Sequence, residues 1–179
     1  MIDLKIETDG IRPTLAALDA TEAQVQRALR STLSKLARWA RSRATKKMAK
    51  EVKMNQTTFR RRLRVSKVRS ASRGGSKVTV WFGLNPVGII YLRPRQTSRG
   101  VSAMGGRHIR SAFIATMESS KRGVFKRRGK ARLKIDLQRE DIEDPGEKLM
   151  TDGLAKSPEM EAKFVGIFER ELRWQMRKQ

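Results

Sequence analysis

Apolar residues along the chain follow two periods, and the switches between them mark its elements. Ile2, Leu4 and Ile6 alternate with Asp3, Lys5 and Glu7. That period of two predicts a strand with one buried face. Pro13 is placed to open a helical turn. Thr21 and Gln24 have the spacing of a capping box, in which two side chains satisfy backbone N–H groups at a helix start. Val25, Leu29, Leu33, Leu36, Trp39 and Ala40 recur every three or four residues, the stripe of an amphipathic helix. Arg27, Arg30, Arg38 and Arg41 fall on its opposite face. Past Ala40, Arg43, Lys47 and Lys50 take azimuths the stripe had held. This predicts a helix that runs to about Lys53, projects beyond its core and touches another chain. In "NQTTFRRRLRV", Asn55 or Thr57 caps a short helix anchored by Phe59 and Leu63.

The period then returns to two. "LRVSKVRSASRGGSKVTVWFGL" predicts strand, Gly74-Gly75 turn, strand, with Val78, Val80 and Phe82 on one face and Thr79 and Trp81 on the other. "VGIIYLRP" predicts a third strand ending near Pro94. Residues 95–109, "RQTSRGVSAMGGRHI", are rich in small residues and predict a long flexible loop, ordered only in an assembly. "SAFIATMES", "GVFKRR" and "ARLKIDLQ" predict strands. Val124 shares a face with the stems of Lys126 and Arg128, Phe125 and Arg127 lie opposite, Leu133, Ile135 and Leu137 alternate, and Gly129 holds the turn. "EDIEDPGEK" leads into a helix near Gly146–Ala155. A last helix follows Ser157 as N-cap and Pro158 at its first position, with Phe164, Ile167, Phe168, Leu172 and Met176 as its apolar face.

The expected fold is α+β: a mixed or antiparallel sheet packed against a long basic amphipathic helix, with a C-terminal helix. One domain is expected over 1–179. Residues 1–64 give a strand and helices, 65–138 a β-rich basic region, and 139–179 an acidic turn and helices. The 179 residues, 38% hydrophobic and 33% charged, suit that size and a modest core. No cysteine is present, which excludes a disulfide scaffold and thiolate metal sites. "MIDLKIETDG" has no basic segment followed by an apolar run, so a signal peptide is not expected. The most apolar stretch, "VTVWFGLNPVGIIYL", is too short and broken to span a bilayer.

Charge changes the picture most. The net charge is +23, and residues 27–134 carry 31 basic side chains against two acidic ones. Such a block repels itself unless counter-charge is supplied. Six of the nine residues from Lys126 to Lys134 are basic. The candidate interaction residues are Arg43, Lys47, Lys50, Arg60, Arg61, Arg62, Lys126, Arg127, Arg128, Lys130 and Arg132. Glu140, Asp141, Glu143 and Asp144 are candidate acidic counterparts on a neighbouring copy.

Three readings of the basic block compete: a solvated face, binding to nucleic-acid phosphates, and contact between copies. Stacking aromatics are spread out and no base-reading motif is present, so nucleic acid would be met through its backbone. Catalytic chemistry is scarce. His108 is the one histidine and has no spaced partner of the kind acid–base schemes need. The carboxylates at 140–144 lack EF-hand spacing and suit a helix start. Neither an enzyme nor a cofactor is expected.

The order of elements, with "TTFRRRLRV" and above all "SAFIATMESSKRGVFKRRGKARLKI", resembles the minor tail protein Z family of long-tailed phages and prophages over about Ile11 to Lys178. Lys134 stands where many relatives would have proline. The resemblance implies a structural tail-completion or neck subunit at the head-proximal end of the tail. It would form a homo-oligomeric, six-fold ring with the tail tube, terminator or head-tail connector, around the DNA or tape-measure path. Contact with the phage DNA backbone is allowed and a membrane is not involved. The place implied is the virion tail near the head-tail junction, reached through the host cytoplasm. The alternative is a sequence-nonspecific nucleic-acid-binding protein of ribosomal or nucleoid type.

Overall fold

A computed structural model describes residues 2–7, 20–70, 76–118, 120–131 and 134–177, with backbone alone for 2–7. The turn expected at Pro13, the Gly74-Gly75 turn, Arg132 and Leu133 lie outside the described residues. The fold is α+β: helices with antiparallel sheets, a long N-terminal helix and a C-terminal helix.

Helix α1, Glu22–Glu51, begins where the capping box places it. The Gln24 N–H donates to Thr21 Oγ1 at 3.4 Å, and the Thr21 N–H donates to Gln24 Oε1 at 2.9 Å. Strand β1, Ile2–Glu7, pairs antiparallel with β4, Ser76–Phe82, from Ile2 opposite Phe82 to Glu7 opposite Lys77. On the far side of β4 lie β2, Leu63–Val65, and β3, Arg69–Ser70. These two short pieces are one strand interrupted by a bulge. Leu63 faces Phe82, but Arg69 faces Lys77, so the register slips by one residue between them. Ser66 repairs the ladder there: its N–H donates to Thr79 O at 2.8 Å, and the Thr79 N–H donates to its Oγ at 2.9 Å.

Val78, Val80 and Phe82 are buried on one face of β4, while Thr79 and Trp81 are half-exposed on the other. The buried face meets Leu33 and Leu36 of α1, together with Phe59 and Leu63, in the main core. Full burial of each such side chain contributes about 1.5–3 kcal/mol. Helix α2, Gln56–Arg60, is capped by Asn55 Oδ1, which accepts from the Thr57 N–H at 3.2 Å.

The stripe of α1 does not end at Ala40, and this corrects the expected projection. Ala44 and Met48 continue it at four-residue steps and are fully buried. Their small or flexible side chains let other elements close over the helix end. Arg43 and Lys47 flank that stripe and are used within the chain, while Lys50 is exposed.

Two further expectations fail over residues 87–110. "VGIIYLRP" is not a third strand: β5, Val87–Gly88, gives way to a 3₁₀ turn at Ile89–Leu92. This turn buries Ile89 and Leu92 and leaves Tyr91 61% exposed. Residues 95–109 are not an open loop. They form an antiparallel meander of β6, Arg95–Thr97, β7, Gly100–Ala103, and β8, Arg107–Arg110. Val101 is its buried anchor. Gln96 stitches it to the next sheet: its Nε2 donates to Gly100 O and Ala112 O, and its Oε1 accepts from the Ile114 N–H at 2.9 Å.

That next sheet has β10, Arg122–Arg127, between β9, Ala112–Thr116, and β11, Ile135–Leu137. The basic hairpin is therefore real, and because Arg127 pairs with Ile135 its connection is longer than a tight turn at Gly129. Val124 and Phe125 are both buried, so the start of β10 is covered on both faces. Lys134 has φ +71°, a conformation closed to proline.

Strand β12, Arg139–Glu140, pairs with β5. Helix α3, Glu143–Met150, starts three residues before the expected Gly146. The Asp141 carboxylate accepts from the Glu143 N–H at 2.9 Å, and Glu143 and Asp144 sit in the positive first turn. After a π-turn at Thr151–Ala155, α4 spans Pro158–Met176. Pro158 is at its start as expected, but the Ser157 side chain makes no capping bond. Ile167 and Leu172 of α4 are buried, and Leu172 joins Val25, Ala28 and Leu29 of α1 in a second cluster.

Candidate functional site

The candidate surface is cationic, and only some of its charges are compensated within the chain. Among the described residues, Lys35, Arg43, Arg107 and Arg128 are the cations of the central block that meet a carboxylate. Arg43 Nη2 lies 2.9 Å from Glu159 Oε2. Lys47 Nζ donates to Gly153 O at 3.0 Å. Both tie α1 to the segment from the π-turn to α4.

Arg107 is a hub that sequence reasoning missed. Its guanidinium donates to Val52 O, to Met104 O and to Glu140 Oε1, each at 2.8 Å. It pins the meander against the end of α1 and against β12. Glu140 is thereby engaged within its own chain. Asp141 accepts from the Glu143 N–H at the start of α3. Of the four expected acidic counterparts, Glu143 and Asp144 are exposed and form no ion pair among the described residues.

At the hairpin, Arg128 Nε lies 2.7 Å from Asp136 Oδ2, across the two strands. The hydrogen bond from Arg128 holds the Asp136 carboxyl below its ordinary value. Arg127 lies over the Phe113 ring, 5.6 Å from its centroid. Lys126 and Lys130 are exposed.

Arg60, Arg61 and Arg62 divide around α2. Arg60 is exposed toward a groove of about 210 Å³, shared with Arg38, Arg41 and Lys46. Arg61 and Arg62 turn to a second groove of about 430 Å³, shared with Tyr91 and Arg93. Neither lining contains a carboxylate. Arg62 is also a staple: it donates to Gly83 O and Pro86 O at 3.4 Å, and to Asn85 O. Burial lowers its pKa, and nearby Tyr91 opposes that shift.

A buried acid, Glu171, was also missed. It accepts from Ser31 Oγ at 2.7 Å and from Lys35 Nζ at 2.5 Å, and bridges α4 to α1. Those hydrogen bonds, Lys35 first and then Ser31, lower its pKa despite burial. Nothing in the local sequence marks it, because its partners are 136 and 140 positions away.

His108 is exposed on β8 opposite Ser102. Among the described residues no group of three or more His, Asp or Glu could hold a metal ion. No described helix is long and apolar enough to cross a membrane. The fold and surface together define a small α+β protein with a largely uncompensated cationic face. No protein-family model, curated protein or solved structure matches the chain.

Proposed function

We propose that the chain is a structural, non-catalytic subunit of a long-tailed phage, at the head-proximal end of the tail. Copies assemble as a ring with tail tube, terminator or connector proteins, around the DNA or tape-measure path. The observation that carries this reading is the excess of exposed cations over carboxylates available within the chain, Lys126, Arg127 and Lys130 at the hairpin among them. It joins the resemblance of the 112–135 segment to minor tail protein Z. A neighbouring copy offers the counter-charge through Glu143 and Asp144.

Light scattering and negative-stain imaging of protein stripped of nucleic acid test the ring. A closed ring is expected, alone or on purified tails. A protein that stays monomeric under both conditions refutes the reading.

A sequence-nonspecific nucleic-acid-binding protein of ribosomal or nucleoid type is the second reading. It is favoured by the two carboxylate-free grooves beside α2. Oligomerisation only in the presence of nucleic acid would select it.

A further inference from the structure

Helix α2 stands between two grooves of the same character. On one side are Arg38, Arg41, Lys46 and Arg60, and on the other Arg61, Arg62, Arg93 and Tyr91. Three of the arginines are held by neutral groups. Arg41 Nη2 donates to Arg60 O at 2.8 Å, Arg38 Nε to Ser34 O at 3.2 Å, and Arg62 to the carbonyls of the 83–86 turn. Carbonyls fix a guanidinium in place and leave its charge unneutralised, so part of the ordering cost of binding an anion is already met. Arg62 is partly desolvated as well, and an anion beside it relieves that cost.

The second groove adds an aromatic ring. Tyr91 is 61% exposed on the 3₁₀ turn, although its neighbours Ile89 and Leu92 are buried. Arg93, beside it, is held at φ +51°. A left-handed arginine costs about 1 kcal/mol or more and persists only where its surroundings enforce it. Seven cations on both sides of a ridge suit a chain of phosphates. A flat exposed ring suits an unpaired base. An acidic peptide leaves the ring without a role, and a duplex hides its bases from it.

We propose that α2 and its flanking grooves bind single-stranded nucleic acid, with phosphates against the arginines of both grooves and one base stacked on Tyr91. The inference stands apart from the ring. A ring-former that binds no oligonucleotide refutes this inference and leaves that reading intact.

Fluorescence anisotropy on the full chain tests it. The probes are labelled oligo(dT) and oligo(rU) of roughly 12 nucleotides, a duplex of equal length and a polyglutamate peptide. The single strands are expected to bind tighter than the duplex or the peptide. The ratio of dT to rU shows which source is preferred. Replacing Arg41, Arg60 and Arg61 together by Gln should weaken oligo(dT) by about tenfold or more and flatten the salt dependence by about 0.7 per lost phosphate contact. Tyr91→Ala should cost about fivefold or more on the single strand and little on the duplex, while Tyr91→Phe retains binding. Lys163→Gln with Arg177→Gln, which removes two exposed charges at α4 instead, should leave affinity within about twofold. Thermal melts confirm that each variant is folded. Equal binding of duplex or polyglutamate, no effect of Tyr91→Ala, or an equal loss from the Lys163/Arg177 variant would each overturn the proposal.

Discussion

Glu171 shows how a single side chain ties two helices. Its carboxylate is stabilised in the folded chain by Lys35 and Ser31, so its folded pKa lies below the unfolded value of 4.5. A depressed carboxyl pKa contributes stability above the unfolded value and loses it as pH falls through the folded one. Acid melts should therefore show stability declining from about pH 4.5 downward. Glu171→Gln should flatten that decline and cost about 2 kcal/mol at neutral pH, or roughly 4–8 °C in Tm. An unchanged acid profile would refute this role. Gly100 is a second sensitive residue: at φ +148°, an added Cβ would lie 2.1 Å from Ile109 O. Gly100→Ala should cost about 1–3 kcal/mol, read by denaturant unfolding. The sequence marks Gly100 only as one small residue among several. What it does there depends on the β8 backbone lying opposite.

The long helix, the short capped helix, the β4 alternation and the basic hairpin were legible because each carries its own period or cap within ten or so residues. The meander was not. Its strands have three or four residues, its sole fully buried side chain is Val101, and its hold on the rest of the fold comes from Gln96 and Arg107. Small residues that read as a flexible loop are here the condition for close strand approach. The end of α1 was misread for a related reason. Alanine at 40 and 44 gives a weak apolar signal but allows tight packing. Arg107→Met tests the meander as a unit. It removes the donors to Val52, Met104 and Glu140, and should raise amide exchange across residues 95–110 while α1 stays protected. A loss of about 2–3 kcal/mol is expected from the orphaned acceptors. Exchange unchanged in that segment would show that Gln96 and Val101 suffice.

For the whole molecule, +23 charges on 179 residues set the terms. Raising salt from about 10 mM to about 150 mM shortens the screening length from roughly 30 Å to about 8 Å. The free chain should melt higher as salt rises, since self-repulsion is screened. A falling Tm would mean that intramolecular pairs outweigh it. In a ring of the kind proposed the sign should reverse, because salt would screen contacts between copies. Arg127→Glu with Lys130→Glu should block assembly if the hairpin meets another copy, and Glu143→Lys with Asp144→Lys should partly restore it. Glu140 and Asp141 do not suit that rescue, because each already serves its own chain. The pairing of Ile2 with Phe82 has a consequence for how the protein is made. At about 5–20 residues per second, a ribosome releases the first strand several seconds before its partner exists. During that interval the apolar stripe of α1 also lacks the sheet it will cover. The newborn chain is thus most prone to wrong pairing before β4 emerges, and chaperone capture should peak there and fall once Phe82 is out.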